Sequence, residues 1–171
     1  MNKHKRVVLI SGSRDVSAEL LTRVRGGVGR IFWKQDELIV GDARGVDAYV
    51  VQLAEAMKLP YMAYGIFEQG RNDASHYTNL RRLMRWKHHK TYTLYRMRDE
   101  YMVERASVVL CFWNGKSNGT KHVFDFACRM GKDAYLIGGD GLIETNAHLL
   151  DMSKKSGRPQ IRLFNWEQIR T

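Results

Sequence analysis

Short apolar runs alternate along the chain with longer segments in which apolar residues recur every three or four positions. The short runs are almost continuous, which is typical of strands that are buried on both faces of a parallel sheet. The longer segments are typical of helices that pack one face against such a sheet. We therefore predict strands at 6–11, 37–41, 60–65, 107–113 and 133–138, a last short edge strand at 161–165, and helices at 17–33, 47–57 and 120–130. We also expect helical structure after Ser75 in the polar segment 68–95.

This order of elements predicts the fold class. Strands that alternate with helices form parallel βα units, and right-handed crossovers place the helices on both faces of the sheet. We expect an α/β fold, a three-layer and doubly wound domain with a mainly parallel sheet of about five to six strands. A chain of 171 residues without repeats or a linker suits one domain, so we assign 1–171 to a single domain.

The composition excludes several classes of protein. Apolar residues make up 44% of the chain and charged residues 27%, which disfavours a disordered protein. No apolar run approaches the roughly 20 residues that cross a bilayer, and the apolar run 7–10 near the N-terminus is too short for a signal peptide. Cys111 and Cys128 are not spaced as a metal or redox pair, so we interpret them as core thiols in a reducing compartment. We expect a cytoplasmic protein without a membrane partner.

Three of the predicted strands end in loops of glycine and small polar residues that lead directly into helices. These loops are 11–15, 41–47 and 114–120. Because ligands bind at the carboxyl ends of the strands in an open parallel sheet, we expect the three loops to form one site. Glycine lets the backbone approach a ligand, and the amides and dipole at a helix start favour an anion. For any single loop, a tight βα turn without a ligand is the alternative explanation.

The side chains of these loops narrow the prediction. Arg14, Arg44 and Lys116 can each pair with an anionic ligand. None of the loops matches the dinucleotide motif G-x-G-x-x-G or the phosphate-loop motif G-x-x-x-x-G-K-[ST]. This disfavours an NAD dehydrogenase and a P-loop nucleotidase. We predict no cofactor. His88 and His89 lack a third ligand at a supporting spacing, so we predict no metal site. The loop residues expected to contact the ligand are Gly12, Ser13, Arg14, Gly41, Asp42, Ala43, Arg44, Gly45, Asp47, Asn114, Gly115, Lys116, Ser117, Asn118, Gly119 and Thr120.

Three stretches of sequence carry a resemblance to a known superfamily. They read LISGSRD, then IVGDARGVDAYVVQLAE, then MRDEYMVERASVVLCFWNGKSNGTKHVFDFACRMGK. In this text and order the chain resembles the SLOG superfamily of Smf/DprA and Lonely-Guy proteins, and most closely its DUF2493, or YspA-like, branch. The resemblance implies a Rossmann-like fold, a nucleotide or nucleotide-derived ligand, and a homodimer or larger homo-oligomer. In that branch the arginine matched by Arg98 faces the ligand loops; a surface salt bridge is the alternative role for Arg98.

Two departures from the superfamily pattern concern catalysis. Asp42 stands where the branch usually has the second glycine of Gly-Gly-Ala-Arg-Gly, and Val123 stands where Lonely-Guy hydrolases have a glutamate. The nearest acid, Asp125, is rotated by about 200° from that direction on a helix. Hydrolysis of a nucleotide at its N-glycosidic bond is therefore an alternative function, with Asp42 and Asp125 as candidate catalytic residues. Asp47 is better explained as an acid that the helix dipole favours.

Charge adds a third hypothesis. The formal net charge is +10, and basic residues concentrate in 71–105 together with Trp86, Tyr92, Tyr95 and Tyr101. Arginines and aromatic rings of this kind can bind nucleic acid, but packing of the rings against the sheet or at a dimer interface is the favoured explanation. Our main prediction is a protein that senses or sequesters a nucleotide-derived small molecule. Nucleotide hydrolysis and nucleic-acid binding are the alternatives.

Overall fold

The computed structural model describes residues 5–87, 89–146 and 162–163. Eight strands form one sheet, and five helices accompany it in these residues. The strands are β1 (Val7–Gly12), β2 (Glu37–Gly41), β3 (Tyr61–Gly65), β4 (Tyr77–Asn79), β5 (Val108–Phe112), β6 (Asp133–Ile137), β7 (Leu142–Thr145) and β8 (Arg162–Leu163). The helices are α1 (Ala18–Lys34), α2 (Val46–Ala56), α3 (Leu80–Leu83), α4 (Thr91–Arg105) and α5 (Asn118–Arg129).

The strand order is β4-β3-β2-β1-β5-β6-β7-β8. All pairs from β4 to β6 are parallel, whereas β7 and β8 add on antiparallel. The chain builds the sheet outward from β1 on one side and then from β5 on the other, so the order reverses between these two strands. This confirms the predicted doubly wound, mainly parallel α/β fold, with additional short strands near both edges.

The alternation of side chains along the strands produces the three layers. In β1, Val8 and Ile10 pack with α1 and α2, whereas Leu9 belongs to the opposite core with α4 and α5. Gly27 lets α1 approach β5, because a Cβ there would lie 3.0 Å from the ring of Phe112. The burial of both faces explains why the strand sequences are almost continuously apolar.

One segment differs from the predictions, and another is described only in part. Helical structure was expected after Ser75, but residues 77–79 form β4, which pairs in parallel with the edge of β3. Asn79 then accepts a hydrogen bond from the Arg82 amide and begins the short helix α3. The open edge of β3 supplied hydrogen-bond partners that the local sequence does not reveal. Within the predicted strand 161–165, residues 162–163 form β8, and the other positions lie outside the described residues.

No helix in the described part of the chain is both long and apolar enough to cross a bilayer.

Candidate functional site

The three loops that follow β1, β2 and β5 converge at one edge of the sheet. Ser13 in the β1 loop connects them. Its carbonyl accepts a hydrogen bond from the Val46 amide in the β2 connection (3.1 Å), and its Oγ accepts one from the Asn114 amide in the β5 loop (3.0 Å). The Ser13 amide also donates to the Phe112 carbonyl at the end of β5 (3.0 Å). One fully buried serine therefore fixes the relative position of three loops that are far apart in sequence.

A cleft of about 480 Å³ lies between these loops and the N-terminal part of α4. It sits beside the point where the strand order reverses, which is the usual ligand position in doubly wound sheets. Ten of the residues named from the sequence line it: Gly12, Arg14, Ala43, Asp47, Arg98, Asn114, Lys116, Ser117, Gly119 and Thr120. Four further residues line it without having been predicted as ligand contacts: Ser11, Asp15, Tyr92 and Asp99.

The remaining predicted contacts do not line this cleft. They are Ser13, Gly41, Asp42, Arg44, Gly45, Gly115 and Asn118. Gly45 has a φ of 79°, and a Cβ there would lie 2.4 Å from the Arg14 carbonyl oxygen. At Gly41 a Cβ would collide with the carboxylate of Asp47. These two glycines thus serve contacts inside the protein, whereas Gly119 has open space around its Cα.

Many of the loop amides that the sequence offered to an anion are already satisfied by the protein. The Asn114 side chain accepts from the amides of Lys116 and Ser117 (both 3.0 Å), and Ser117 Oγ accepts from the Thr120 amide (3.4 Å). These are the Asx-turn and N-cap contacts that such residues make at helix starts. The amides of Asn118 and Gly119, the first two of α5, have no acceptor among the described residues. Fewer loop amides are therefore available to bind an anion than the sequence suggested.

Asp42 is buried in an ion-pair cluster. Its Oδ1 accepts hydrogen bonds from Arg71 Nη2 (2.6 Å) and Arg98 Nη1 (2.7 Å), and Arg98 also binds Asp99 (2.6 Å). The Arg71 amide donates to Asp42 Oδ2 (3.2 Å). Asp42 therefore anchors the 66–75 connection to α4. Arg98 belongs to this buried cluster, which reaches the cleft, and not to a surface salt bridge.

Asp125, the second candidate catalytic residue, does not face the cleft. It lies on the flank of α5, where it is half-exposed and accepts a hydrogen bond from Lys121 Nζ (2.7 Å) one helical turn earlier. The rotation inferred from the sequence, away from the glutamate direction of Lonely-Guy hydrolases, agrees with this position.

Asp47 occupies the inner wall of the cleft. Only 4% of the residue is exposed. Its Oδ2 accepts a hydrogen bond from the Ala43 amide (3.2 Å), whereas its buried Oδ1 has no partner among the described residues. Burial raises the pKa of Asp47 to about 7, against the opposing effects of the Arg98 charge and the Ala43 amide. Asp47 thus changes its protonation near neutral pH.

The mouth of the cleft carries exposed charges. Arg14 and Lys116 are exposed and pair with no carboxylate in the described part of the chain. Asp15, by contrast, binds Arg44 (3.1 Å). The Tyr92 ring, 77% exposed, completes the rim from α4. The mouth therefore presents two cations and an aromatic face to solvent.

The aromatic residues of 71–105 divide between packing and exposure. Tyr95 lies under the guanidinium groups of Arg71 and Arg98, at 4.1 and 5.2 Å from its ring centre. Tyr101 packs edge-on against Tyr64, and Trp86 packs against the core. Only Tyr92 among the four rings is fully exposed. Of the His88–His89 pair, His88 lies outside the described residues.

No family model matches the chain, and no curated protein matches it. Among solved structures, the chain is similar to the molybdenum cofactor binding protein of Rippkaea orientalis (TM-score 0.60, 16% identity, 80% of this chain and 78% of that chain). It is also similar to the molybdenum cofactor carrier protein of Chlamydomonas reinhardtii (TM-score 0.58, 14% identity, covering 89% of this chain and 86% of that chain). A third similar structure is DNA processing protein A (DprA) of Helicobacter pylori (TM-score 0.60, 14% identity, covering 96% of this chain and 78% of that chain).

The chain shares the Rossmann-like fold of these structures. This likeness confirms the Rossmann-like fold that the resemblance implied, whereas membership of the SLOG superfamily stays a prediction. Identities this low establish the fold alone. Membership of the DUF2493 branch, homo-oligomerisation and a cytoplasmic location stay predictions.

Proposed function

We propose that this protein binds a nucleotide-derived small molecule, as a sensor or a sequestering protein, in the cleft at the carboxyl ends of β1, β2 and β5. The observation that carries the proposal is the convergence of the three loops, fixed together by Ser13, beside the point where the strand order reverses. A volume of about 480 Å³ suits a ligand of nucleotide size.

The chemistry of the cleft mouth supports an anionic ligand with a flat ring. Arg14 and Lys116 offer cations, and the amides of Asn118 and Gly119 lie at the positive end of the α5 dipole. The exposed ring of Tyr92 offers a stacking surface for a base. Phosphate and base together describe a nucleotide derivative.

Known proteins of the same fold support binding of this general kind. The structure from Rippkaea orientalis is described as a molybdenum cofactor binding protein, and that from Chlamydomonas reinhardtii as a molybdenum cofactor carrier protein. Both descriptions name binding or carriage of a small molecule.

Binding is favoured over hydrolysis because both candidate catalytic carboxylates are engaged elsewhere. Asp42 is held by Arg71 and Arg98, and Asp125 is held by Lys121. Neither lines the cleft. Incubation with nucleotides followed by chromatography tests this choice, since release of a free base would contradict it.

Mass spectrometry and calorimetry test the proposal. Native mass spectrometry of the purified protein, before and after denaturation, should reveal an unchanged small molecule that carries phosphate. Calorimetry with ADP-ribose, AMP and a cyclic dinucleotide should show binding of at least one of them. The double variant R14Q/K116Q should lose most of that affinity, whereas R25Q/K34Q, which removes the same charge from α1, should keep it. Equal affinities of the two variants would refute the cleft as the site.

A second candidate function, binding of single-stranded nucleic acid, is favoured by a separate surface. A groove of about 560 Å³ beside α3 is lined by Arg81, Arg82, Arg85 and Lys87 together with Phe67 and Trp86. The structure from Helicobacter pylori is described by its single-stranded DNA binding mode. Binding of an oligonucleotide should weaken steeply with added salt and in R81Q/R82Q/R85Q, because counterion release drives such binding. Salt-independent or absent binding would remove this candidate.

A further inference from the structure

One buried oxygen in the wall of the cleft has no hydrogen-bond partner among the described residues. Asp47 Oδ1 is buried and accepts no hydrogen bond from any described residue, although the same carboxyl group binds the Ala43 amide through Oδ2. Buried polar atoms in folded proteins almost always have partners. Because Asp47 lines the cleft, a ligand atom can supply the missing one.

The charges around Asp47 are already balanced without it. The cluster contains two guanidinium groups, Arg71 and Arg98, and two carboxylates, Asp42 and Asp99, in direct contact. An ionised Asp47 would be a third carboxylate next to two guanidinium groups that are already paired. Burial, and the carboxylates of Asp99 and Asp42, raise the pKa of Asp47, whereas Arg98 and the Ala43 amide oppose the rise.

The remaining charged groups lie at the mouth of the cleft. They are Arg14 and Asp15 from the β1 loop and Lys116 from the β5 loop. Arg14 and Lys116 are exposed, and Asp15 is already paired with Arg44. Arg14 and Lys116 attract an anion to the cleft, and none of the three groups is a direct partner of Asp47.

Building on the proposed function, we infer that protonated Asp47 donates a hydrogen bond from Oδ1 to an anionic phosphate oxygen of the ligand. The proton must sit on Oδ1, because Oδ2 already accepts from the Ala43 amide. An ionised Asp47 would repel the same phosphate. Asp47 therefore selects a phosphate-bearing ligand and couples its binding to the uptake of one proton.

Calorimetry with ADP-ribose tests this inference, because its diester phosphates do not titrate near neutral pH. With a pKa of Asp47 of about 7, affinity should fall about 30-fold between about pH 6 and about pH 8.5. Titrations at about pH 8.5 in two buffers of different ionisation enthalpy should show uptake of about one proton per ligand bound. This measurement needs no variant, so it does not depend on the folding of a mutant.

Two matched substitutions complete the test. In Asp47→Asn the Ala43 amide retains the side-chain oxygen, so the amide nitrogen takes the Oδ1 position and donates at every pH. This variant should bind at both pH values with little difference. Asp73→Asn, the same change at an exposed residue outside the cleft, should keep the pH dependence of the wild type.

The alternative outcomes separate the inference from the proposed function. Tighter binding by the wild type at about pH 8.5, together with weak binding by Asp47→Asn, would show an ionised acceptor and overturn the inference alone. Affinity that is independent of pH would also overturn it alone. Absence of wild-type binding at both pH values would overturn the proposed function for this ligand class and the inference with it.

Discussion

Replacement of Asp47 by asparagine should stabilise the ligand-free protein at neutral and alkaline pH. In the folded state burial raises the pKa of Asp47 from 3.8 to about 7. Between pH 3.8 and about pH 7 the folded chain keeps a proton that the unfolded chain has lost, so the free energy of unfolding falls as the pH rises. Above about pH 7 both states are ionised and the loss is constant. At about 1.4 kcal/mol per pKa unit, the full loss is about 4 kcal/mol.

Asparagine has the shape of the acid without its charge, and it keeps the hydrogen bond from Ala43. The stability advantage of the variant over the wild type should therefore grow by about 2 kcal/mol between about pH 5.5 and about pH 8.5. Urea denaturation followed by circular dichroism at both pH values measures this difference. Comparison with the wild type cancels the titration of all other groups.

The control is Asp15→Asn, since Asp15 is 81% exposed and its removal should leave the pH profile unchanged. A stability difference between Asp47→Asn and the wild type that is the same at both pH values would refute the reasoning. It would mean that Asp47 ionises in the folded state as easily as in the unfolded one, through pairing with Arg98.

Three further predictions concern the loops. Gly119→Phe should abolish ligand binding in calorimetry without lowering Tm, whereas Gly26→Phe, at an equally open helix position on α1, should affect neither. Asp42→Asn should lower the free energy of unfolding in urea by about 3 kcal/mol, because it leaves the two guanidinium groups of the buried cluster with one carboxylate, Asp99. A loss below about 1 kcal/mol would contradict this. Gly45→Ala should cost about 2 kcal/mol or more in the same assay, since its φ is 79° and the β1 loop leaves no room for a Cβ.

The elements with a clear local pattern were predicted well. The first helix was predicted at 17–33, and Ser17 caps it in the structure by accepting a hydrogen bond from the Leu20 amide. The central strands were found at their predicted positions because their apolar runs report burial on both faces, which depends on the residues themselves. Residues 77–79 were missed because an edge strand of three residues depends on the strand beside it.

The cleft was predicted only in part for a related reason. Strand order places the three loops at one edge, and that follows from alternation of strands and helices. The contribution of Tyr92 and Asp99 from α4 depends on how that helix crosses the sheet. The face of α4 that carries Tyr92 and Asp99 is not apolar, so the residue pattern does not indicate how this helix crosses the sheet.

Sequence alone determined the layers of this protein and the edge of the sheet where the three loops meet, because burial and turn formation are local properties of residue type. Tertiary structure alone decided the roles of the two acids in the β2 connection. Asp42 finds its partners 29 and 56 residues away, in Arg71 and Arg98, and is neutralised by them. Asp47, five residues after Asp42, lines the cleft and has a buried oxygen with no partner among the described residues. Pairing between distant charges depends on where the folded backbone brings them, and no periodicity in the chain encodes it.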